Sequence, residues 1–148
     1  MAVGAERKTL DELLESAAGR IVRVDPTEAH AAIEDGALLV DIRSDIDRER
    51  DGIVPGSLHI PRTVLEWRLA PDSAWRNPHA DTGRRLILLC DHGWSSILAA
   101  ATLAQLGLTG VGDVIGGFVA WREAGLPTAT APPCRRAPGE PAGMGAPS

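Results

Sequence analysis

One cysteine of the sequence stands in a setting that favours nucleophilic chemistry. Cys90 follows directly after the apolar run LILL at residues 86–89, and a short loop separates it from a long apolar helix predicted to begin at Ser96. A thiol at a join between strand and helix faces unpaired backbone N–H groups and the positive end of the helix dipole, which stabilise the reactive thiolate. The alternative is that Cys90 serves only as a small buried hydrophobe.

The loop after this cysteine supplies the other candidate residues of an active site. In chain order they are Asp91, His92, Gly93, Trp94, Ser95 and Ser96. Gly93 permits the positive φ that a tight loop needs, and Ser95 and Ser96 are both favoured N-cap residues. Trp94 is expected to wall or gate a pocket, unless it packs under the loop. His92 can tune the thiolate or shuttle a proton, although a lone loop histidine is more often simply solvated.

Apolar strands that alternate with helices must position this loop. Strands are predicted at residues 21–24, 37–40, 86–89 and 111–115, a short apolar run lies at 58–60, and helices are predicted at 10–17, 26–36, 44–51, 63–69, 96–106 and 118–124. Trp67, Phe118 and Trp121 fall on helical positions and are expected in the core. Because the strands are apolar without alternation, the pattern predicts an α/β fold of parallel strands covered by helices on both faces.

Three charged residues outside the loop are further candidates. Parallel strands present their carboxyl ends at one edge of the sheet, so Asp41 and Arg43 should lie at the same edge as Cys90. Arg68 could supply the positive charge that the loop lacks, with a solvated surface arginine as the alternative.

Composition limits what else the chain can do. It has 148 residues, a net charge of −5 and two cysteines, Cys90 and Cys134. The negative charge disfavours nucleic acid and anionic lipid as partners, and two isolated cysteines form neither a disulfide framework nor a zinc site. No apolar run approaches the ~20 residues that span a bilayer, and the first residues lack the apolar region of a secretory signal. We therefore expect a cytoplasmic protein.

The chain is predicted to hold one folded domain at residues 21–128. Residues 1–20 form a helical lead-in, and residues 129–148 form a proline-rich tail expected to be disordered. Cys134 lies in that tail and is interpreted as incidental.

Four blocks in this order resemble the rhodanese-like sulfurtransferases. They are LLVDIR at residues 38–43, GIVPGSLHIP at 52–61, LLCDHGWSS at 88–96 and GGFVAWREAGLPT at 116–128. Each block alone is a weak signal, but the ordered set is highly specific. The segment PRTVLEWRLAP at residues 61–71 is similar to single-domain members from high-GC bacteria.

The resemblance implies a three-layer α/β/α fold with a central five-stranded parallel sheet and a six-residue active-site loop from Cys90 to Ser95. Cys90 would take the outer sulfur of a donor such as thiosulfate as a persulfide and pass it to cyanide, a thiol or a protein acceptor. Asp41 and Arg43 would form a structural ion pair, with direct substrate contact as the alternative. The resemblance implies no metal and no organic cofactor, and we expect a monomer with no nucleic-acid or membrane partner.

Two departures bear on the substrate. Related cysteine phosphatases place an arginine six residues after the cysteine, where this chain has Ser96, so the phosphatase interpretation is disfavoured. Members specialised for thiosulfate often have basic residues just after the cysteine, where this chain has Asp91 and His92. A sulfurtransferase is the favoured hypothesis, and a non-catalytic binding or sulfur-carrier module is the alternative.

Overall fold

The strand that ends at Cys90 lies in the middle of a five-stranded sheet. The computed structural model describes residues 6–80 and 83–132. The strands are β1 (Val22–Val24), β2 (Leu38–Asp41), β3 (Leu58–His59), β4 (Leu86–Leu89) and β5 (Gly112–Val114). The helices are α1 (Leu10–Ala18), α2 (Pro26–Glu34), α3 (Asp45–Asp51), α4 (Leu65–Leu69), α5 (Ser95–Gln105) and α6 (Gly117–Glu123).

All five strands run parallel, in the spatial order β1-β5-β4-β2-β3. β4 therefore has β2 on one side and β5 on the other, with Leu89 in register with Asp41 and Leu88 in register with Asp113. Because the strands are parallel, the segments that follow β2, β4 and β5 all leave the sheet at one edge. The α/β fold and the five-stranded parallel sheet expected from the sequence are confirmed.

Alternate residues of β4 belong to two separate cores. Leu86 and Leu88 pack in one core with side chains of α4 and α5, whereas Ile87 and Leu89 pack in the other with side chains of α2 and α6. All four residues of β4 are buried. Successive side chains of a strand point to opposite faces, so an uninterrupted apolar run is what a sheet covered on both faces requires. Cys90 continues the alternation and joins the α4 and α5 side.

Two of the three aromatic side chains predicted to lie in the core are buried, and one is exposed. Trp121 is fully buried, as predicted, and so is Phe118. Trp67 on α4 is 54% exposed, so its assignment to the core is wrong. α4 has only five residues, which is too short for an apolar period to show which face of the helix turns inward.

Backbone hydrogen bonds attach the chain to the fold near residue 128, the predicted end of the domain, and the predicted division into lead-in, domain and tail stays a prediction. Ala129 exchanges two backbone hydrogen bonds with Ile53, both of 2.8 Å, so the chain stays attached to the domain one residue beyond the predicted boundary. Cys134 lies outside the described residues, and the disorder predicted for the tail stays a prediction. Among the helices that the structure describes, none has both the length and the apolar character needed to cross a membrane.

The buried alternation of β4 predicts a large cost for shortening one of its side chains. Leu88→Ala should lower the free energy of unfolding by about 2–5 kcal/mol, because Leu88 is fully buried and the neighbouring side chains cannot close the cavity. Urea unfolding measures this. Leu10→Ala is the matched control: Leu10 is 65% exposed, and its loss should stay near 0.5 kcal/mol. Similar losses for the two variants would contradict the assignment of β4 to the core.

Candidate active site

The sulfur of Cys90 lies buried where β4 ends, and two polar groups contact it. The backbone N–H of Gly93 donates to Sγ over 3.1 Å, and the hydroxyl Oγ of Ser96 lies 3.2 Å from Sγ. Cys90 itself is 4% exposed. A donor aimed at a sulfur favours the anion over the neutral thiol. The residue predicted as the nucleophile thus has a donor for its anionic form in place.

The start of α5 differs from the prediction. The N-cap residue is Trp94, whose side chain makes no capping hydrogen bond, so the assignment of Ser95 or Ser96 as N-cap is wrong. The Ser96 side chain is fully buried and donates instead to Oδ2 of Asp113 over 2.7 Å. A buried carboxylate is a stronger acceptor for this hydroxyl than neutral groups are.

Asp113 is fully buried and forms an ion pair with the partly buried Arg23 that sequence reasoning missed. Arg23 Nε donates to Asp113 Oδ1 over 2.9 Å, and Arg23 Nη2 donates to Oδ2 over 3.1 Å. The same Nη2 also donates to the backbone carbonyl of Gly93 over 2.9 Å. The two residues face each other across β1 and β5. A charge of opposite sign inside each of two apolar strands was the available signal.

Asp41 and Arg43 form the expected ion pair. Arg43 Nε and Nη2 donate to the two carboxylate oxygens of Asp41 over 3.0 and 2.8 Å, and both side chains are buried. Arg43 also donates to the carbonyl of Gly52 over 2.8 Å, and its guanidinium lies 4.1 Å from the centre of the Phe118 ring. These contacts tie the segment after β2 to α3 and α6. Direct contact of either residue with a substrate stays a prediction.

Arg68 is not a solvated surface residue. It is 7% exposed, and its Nη1 donates to the backbone carbonyl of Trp75 over 2.7 Å. That hydrogen bond holds the segment that follows α4. A role for Arg68 in supplying charge to the Cys90 loop stays a prediction.

The outer side of the loop carries three side chains of mixed character. Trp94 is 65% exposed, so it does not pack under the loop. His92 is similarly exposed, and its Nε2 lies 3.6 Å from Oδ2 of Asp91. Asp91 is the partly buried member of this pair, with 29% of its side chain exposed. The exposed part of the loop therefore offers an indole and an imidazole, with the partly buried carboxylate of Asp91 beside the imidazole.

The inner side of the loop lies on the first turn of α6. The backbone N–H of Phe118 donates to the carbonyl of Cys90 over 2.8 Å, and that of Val119 donates to the carbonyl of Asp91 over 3.1 Å. Gly93 has a φ of +82°, and a Cβ there would lie 2.5 Å from the backbone nitrogen of Gly116. The loop can take its position under the sulfur only because residue 93 has no side chain.

One titratable group beside the site was also missed by sequence reasoning. His59 lies in register with Asp41, and its Nε2 donates to the backbone carbonyl of Arg43 over 2.8 Å. Burial of the imidazole is the main reason why the pKa of His59 lies below its ordinary value of 6.5, although the hydrogen bond to the carbonyl opposes the shift. The uncharged imidazole of His59 therefore helps to hold the segment that follows β2.

Comparison with known proteins gives consistent results. The family model for the rhodanese-like domain matches residues 25–124. Thiosulfate sulfurtransferase GlpE of Pseudomonas savastanoi pv. phaseolicola is 36% identical over 100 residues, which cover 68% of this chain and 86% of that protein. Thiosulfate sulfurtransferase 16, chloroplastic, of Arabidopsis thaliana is 31% identical over 109 residues, which cover 71% of this chain and 90% of that protein.

A solved structure from Rhodopseudomonas palustris is also similar. It superimposes with a TM-score of 0.77 and 33% identity over 87% of this chain and 99% of its own. That protein is described as one of unknown function and a possible tyrosine phosphatase.

Adding a side chain at Gly93 should cost more stability than the strain of a positive φ alone explains. Gly93→Ala should lower the free energy of unfolding well beyond the loss in Gly56→Ala. Both glycines have a φ near +80°, but only at Gly93 does a Cβ meet other backbone atoms. The strain common to both is about 1–2 kcal/mol. Urea unfolding of the two variants compares them, and equal losses would show that the loop does not need this close approach.

The shifted titration of His59 predicts a pH-dependent loss of stability. Below about pH 6.5 the unfolded chain binds a proton that the folded His59 resists, so the free energy of unfolding falls as the pH is lowered. His59→Gln keeps a side-chain N–H donor but cannot titrate, and its stability should fall less between about pH 7 and pH 5. Urea unfolding across this range measures both proteins. Parallel curves would contradict the assignment to His59.

Proposed function

The chain belongs to the rhodanese-like domain family, and from that premise we propose that it is a sulfurtransferase that carries sulfane sulfur on Cys90. The observation that carries the proposal is the buried Cys90 sulfur, which lies at the carboxyl edge of the sheet with the Gly93 N–H donating to it over 3.1 Å. Relatives named thiosulfate sulfurtransferase share about a third of their residues with this chain.

In the first half of the reaction, the Cys90 thiolate attacks the outer sulfur of the donor. With thiosulfate, a bond forms between Sγ and that sulfur, the sulfur–sulfur bond of the donor breaks, and its electron pair leaves with sulfite. The product is a Cys90 persulfide anion, so charge is conserved. Backbone N–H groups stabilise such an anion because they are already oriented before the charge arrives.

In the second half, a nucleophile attacks the terminal sulfur of the persulfide. The bond between that sulfur and Sγ breaks, and its electron pair returns to Sγ as the thiolate. Cyanide leaves as thiocyanate, and a thiolate acceptor leaves as a new persulfide. Both half-reactions form and break a single sulfur–sulfur or sulfur–carbon bond and need no outside oxidant or reductant. A cytoplasmic location, in which thiols stay reduced, suits this chemistry.

The loop favours some donors over others. The two residues directly after Cys90 are Asp91 and His92, and the Asp91 carboxylate repels a dianion such as thiosulfate. The exposed indole of Trp94 offers apolar contact on the same loop. We therefore expect thiosulfate to serve as a donor with a high KM, and less charged sulfane donors to work better.

A second candidate function is favoured by the same acidic loop. A domain that stores sulfane sulfur for one protein partner needs the Cys90 persulfide but not fast turnover with small donors. Phosphatase activity, suggested by the description of the Rhodopseudomonas palustris protein, is disfavoured because position 96 holds a serine instead of the arginine that binds phosphoryl oxygens.

The catalytic role of Cys90 predicts a complete loss of sulfur transfer on one substitution. Cys90→Ser should abolish thiocyanate formation from thiosulfate and cyanide, because a hydroxyl at this position does not form a persulfide. Steady-state measurement of thiocyanate against donor concentration tests this.

The matched control is the same substitution at the other cysteine. Cys134→Ser should keep both kcat and KM. Turnover that survives in Cys90→Ser would refute the proposal. A stable Cys90 persulfide with negligible turnover for every small donor would instead favour the sulfur-carrier function.

A further inference from the structure

The Ser96 hydroxyl lies between two groups that can each accept its proton, the Asp113 carboxylate and the thiolate form of Cys90. Its oxygen is 3.2 Å from the Cys90 sulfur and 2.7 Å from Oδ2 of Asp113. Ser96 and Asp113 are both fully buried, so water does not take the place of either partner. A hydroxyl has one proton to donate, and the three atoms therefore cannot all be satisfied in every protonation state.

Proton counting defines the arrangement when Cys90 is a thiol. Arg23 donates to both oxygens of Asp113, which marks the carboxylate as an acceptor. The Ser96 proton then points at Asp113, and the Ser96 oxygen accepts the proton of the thiol. Every polar hydrogen in this chain of contacts has an acceptor.

The arrangement changes when Cys90 is a thiolate. With the hydroxyl proton on the Asp113 side, a lone pair of the Ser96 oxygen faces the sulfur anion. The hydroxyl must turn to donate to the sulfur, and Asp113 loses one of its three donors. Arg23 still donates two hydrogen bonds to Asp113. The hydroxyl can therefore rotate toward the sulfur, although its attraction to the Asp113 carboxylate opposes the rotation.

We propose that Asp113 competes with Cys90 for the single proton of the Ser96 hydroxyl, and that Arg23 sets the strength of this competition. Asp113, Ser96 and Arg23 are then positioning residues that control how readily the Cys90 thiolate forms. Their relevance to persulfide chemistry rests on the proposed function, because both the attacking thiolate and the thiolate released to the acceptor need the hydroxyl turned toward sulfur.

Other charged groups lie on the elements packed around the sulfur. They are Asp41 and Arg43 at the end of β2, Asp91 and His92 on the loop, Arg68 on α4 and Arg122 on α6. The residues of α5 are all uncharged. Because these groups stay the same in every variant below, a difference between two variants isolates the Ser96 hydroxyl.

The experiment measures alkylation of Cys90 by iodoacetamide against pH in the full chain. Every protein carries Cys134→Ser, which leaves Cys90 as the single cysteine of the sequence. Asp113→Asn replaces an acceptor by an amide that can donate to the Ser96 oxygen and so frees the hydroxyl proton for sulfur. The pH midpoint of alkylation should fall by about one unit, the effect of one hydrogen bond to a charged group.

Ser96→Ala supplies the matched background. The shift in the alkylation midpoint caused by Asp113→Asn should vanish in Ser96→Ala, because that variant has no hydroxyl proton for which Asp113 and Cys90 could compete. A shift of the same size in both backgrounds would mean that the Asp113 charge acts directly through space, and would overturn the proposal. An unchanged midpoint in Asp113→Asn with Ser96 present would overturn it as well.

Arg23→Lys gives a second route if Asp113→Asn does not fold, as judged by circular dichroism. Lysine keeps the positive charge but loses the fork, so Asp113 holds the Ser96 proton more strongly and the midpoint should rise. This rise should also vanish with Ser96→Ala, and its absence or its persistence there would overturn the proposal. Alkylation needs no sulfur donor, so a wild-type chain that forms no persulfide would refute the proposed function without altering this result.

Discussion

The chemistry at Cys90 depends on β4 lying between β2 and β5 in a sheet whose strands all run parallel. That order places the ends of three strands side by side, so the loop after Cys90 meets the segment after β2 on one side and β5 with the first turn of α6 on the other. The backbone N–H of Phe118 then reaches the Cys90 carbonyl. An antiparallel neighbour would present its opposite end here and remove that donor.

The group at Cys90 changes during sulfur transfer, whereas the loops around it are held in place. Sulfur transfer changes the charge and length of the group at Cys90, and the loop must stabilise each form without rearranging. Two guanidiniums supply the rigidity: the partly buried Arg23 donates to the carbonyl of Gly93, and the buried Arg43 donates to that of Gly52. Each also carries a buried carboxylate partner, which compensates its charge. These cations are therefore engaged in holding loops, which leaves the acidic residue Asp91 to influence donor choice.

Much of this arrangement could be predicted from the sequence, because apolar runs and strand ends report directly on a parallel sheet. The location of Cys90 and its proximity to Asp41 and Arg43 follow from that pattern. The pair of Arg23 and Asp113 was missed, because opposite charges inside two apolar strands do not by themselves show that β1 lies next to β5, a pairing across 90 residues. The burial of the Ser96 side chain was missed for the same reason, because its hydrogen-bond acceptor is Asp113. Local sequence preference favoured a serine as the N-cap of α5, but the Ser96 hydroxyl donates to the buried carboxylate of Asp113 instead.

Acceptance of sulfur by Cys90 is tested by intact-mass measurement of the wild-type chain. After exposure to thiosulfate or another sulfane donor and removal of the excess, we expect a mass increase of one sulfur atom, located on Cys90 by peptide mapping and lost again on addition of cyanide. An unchanged mass with every donor, or added sulfur that maps to Cys134, would contradict it.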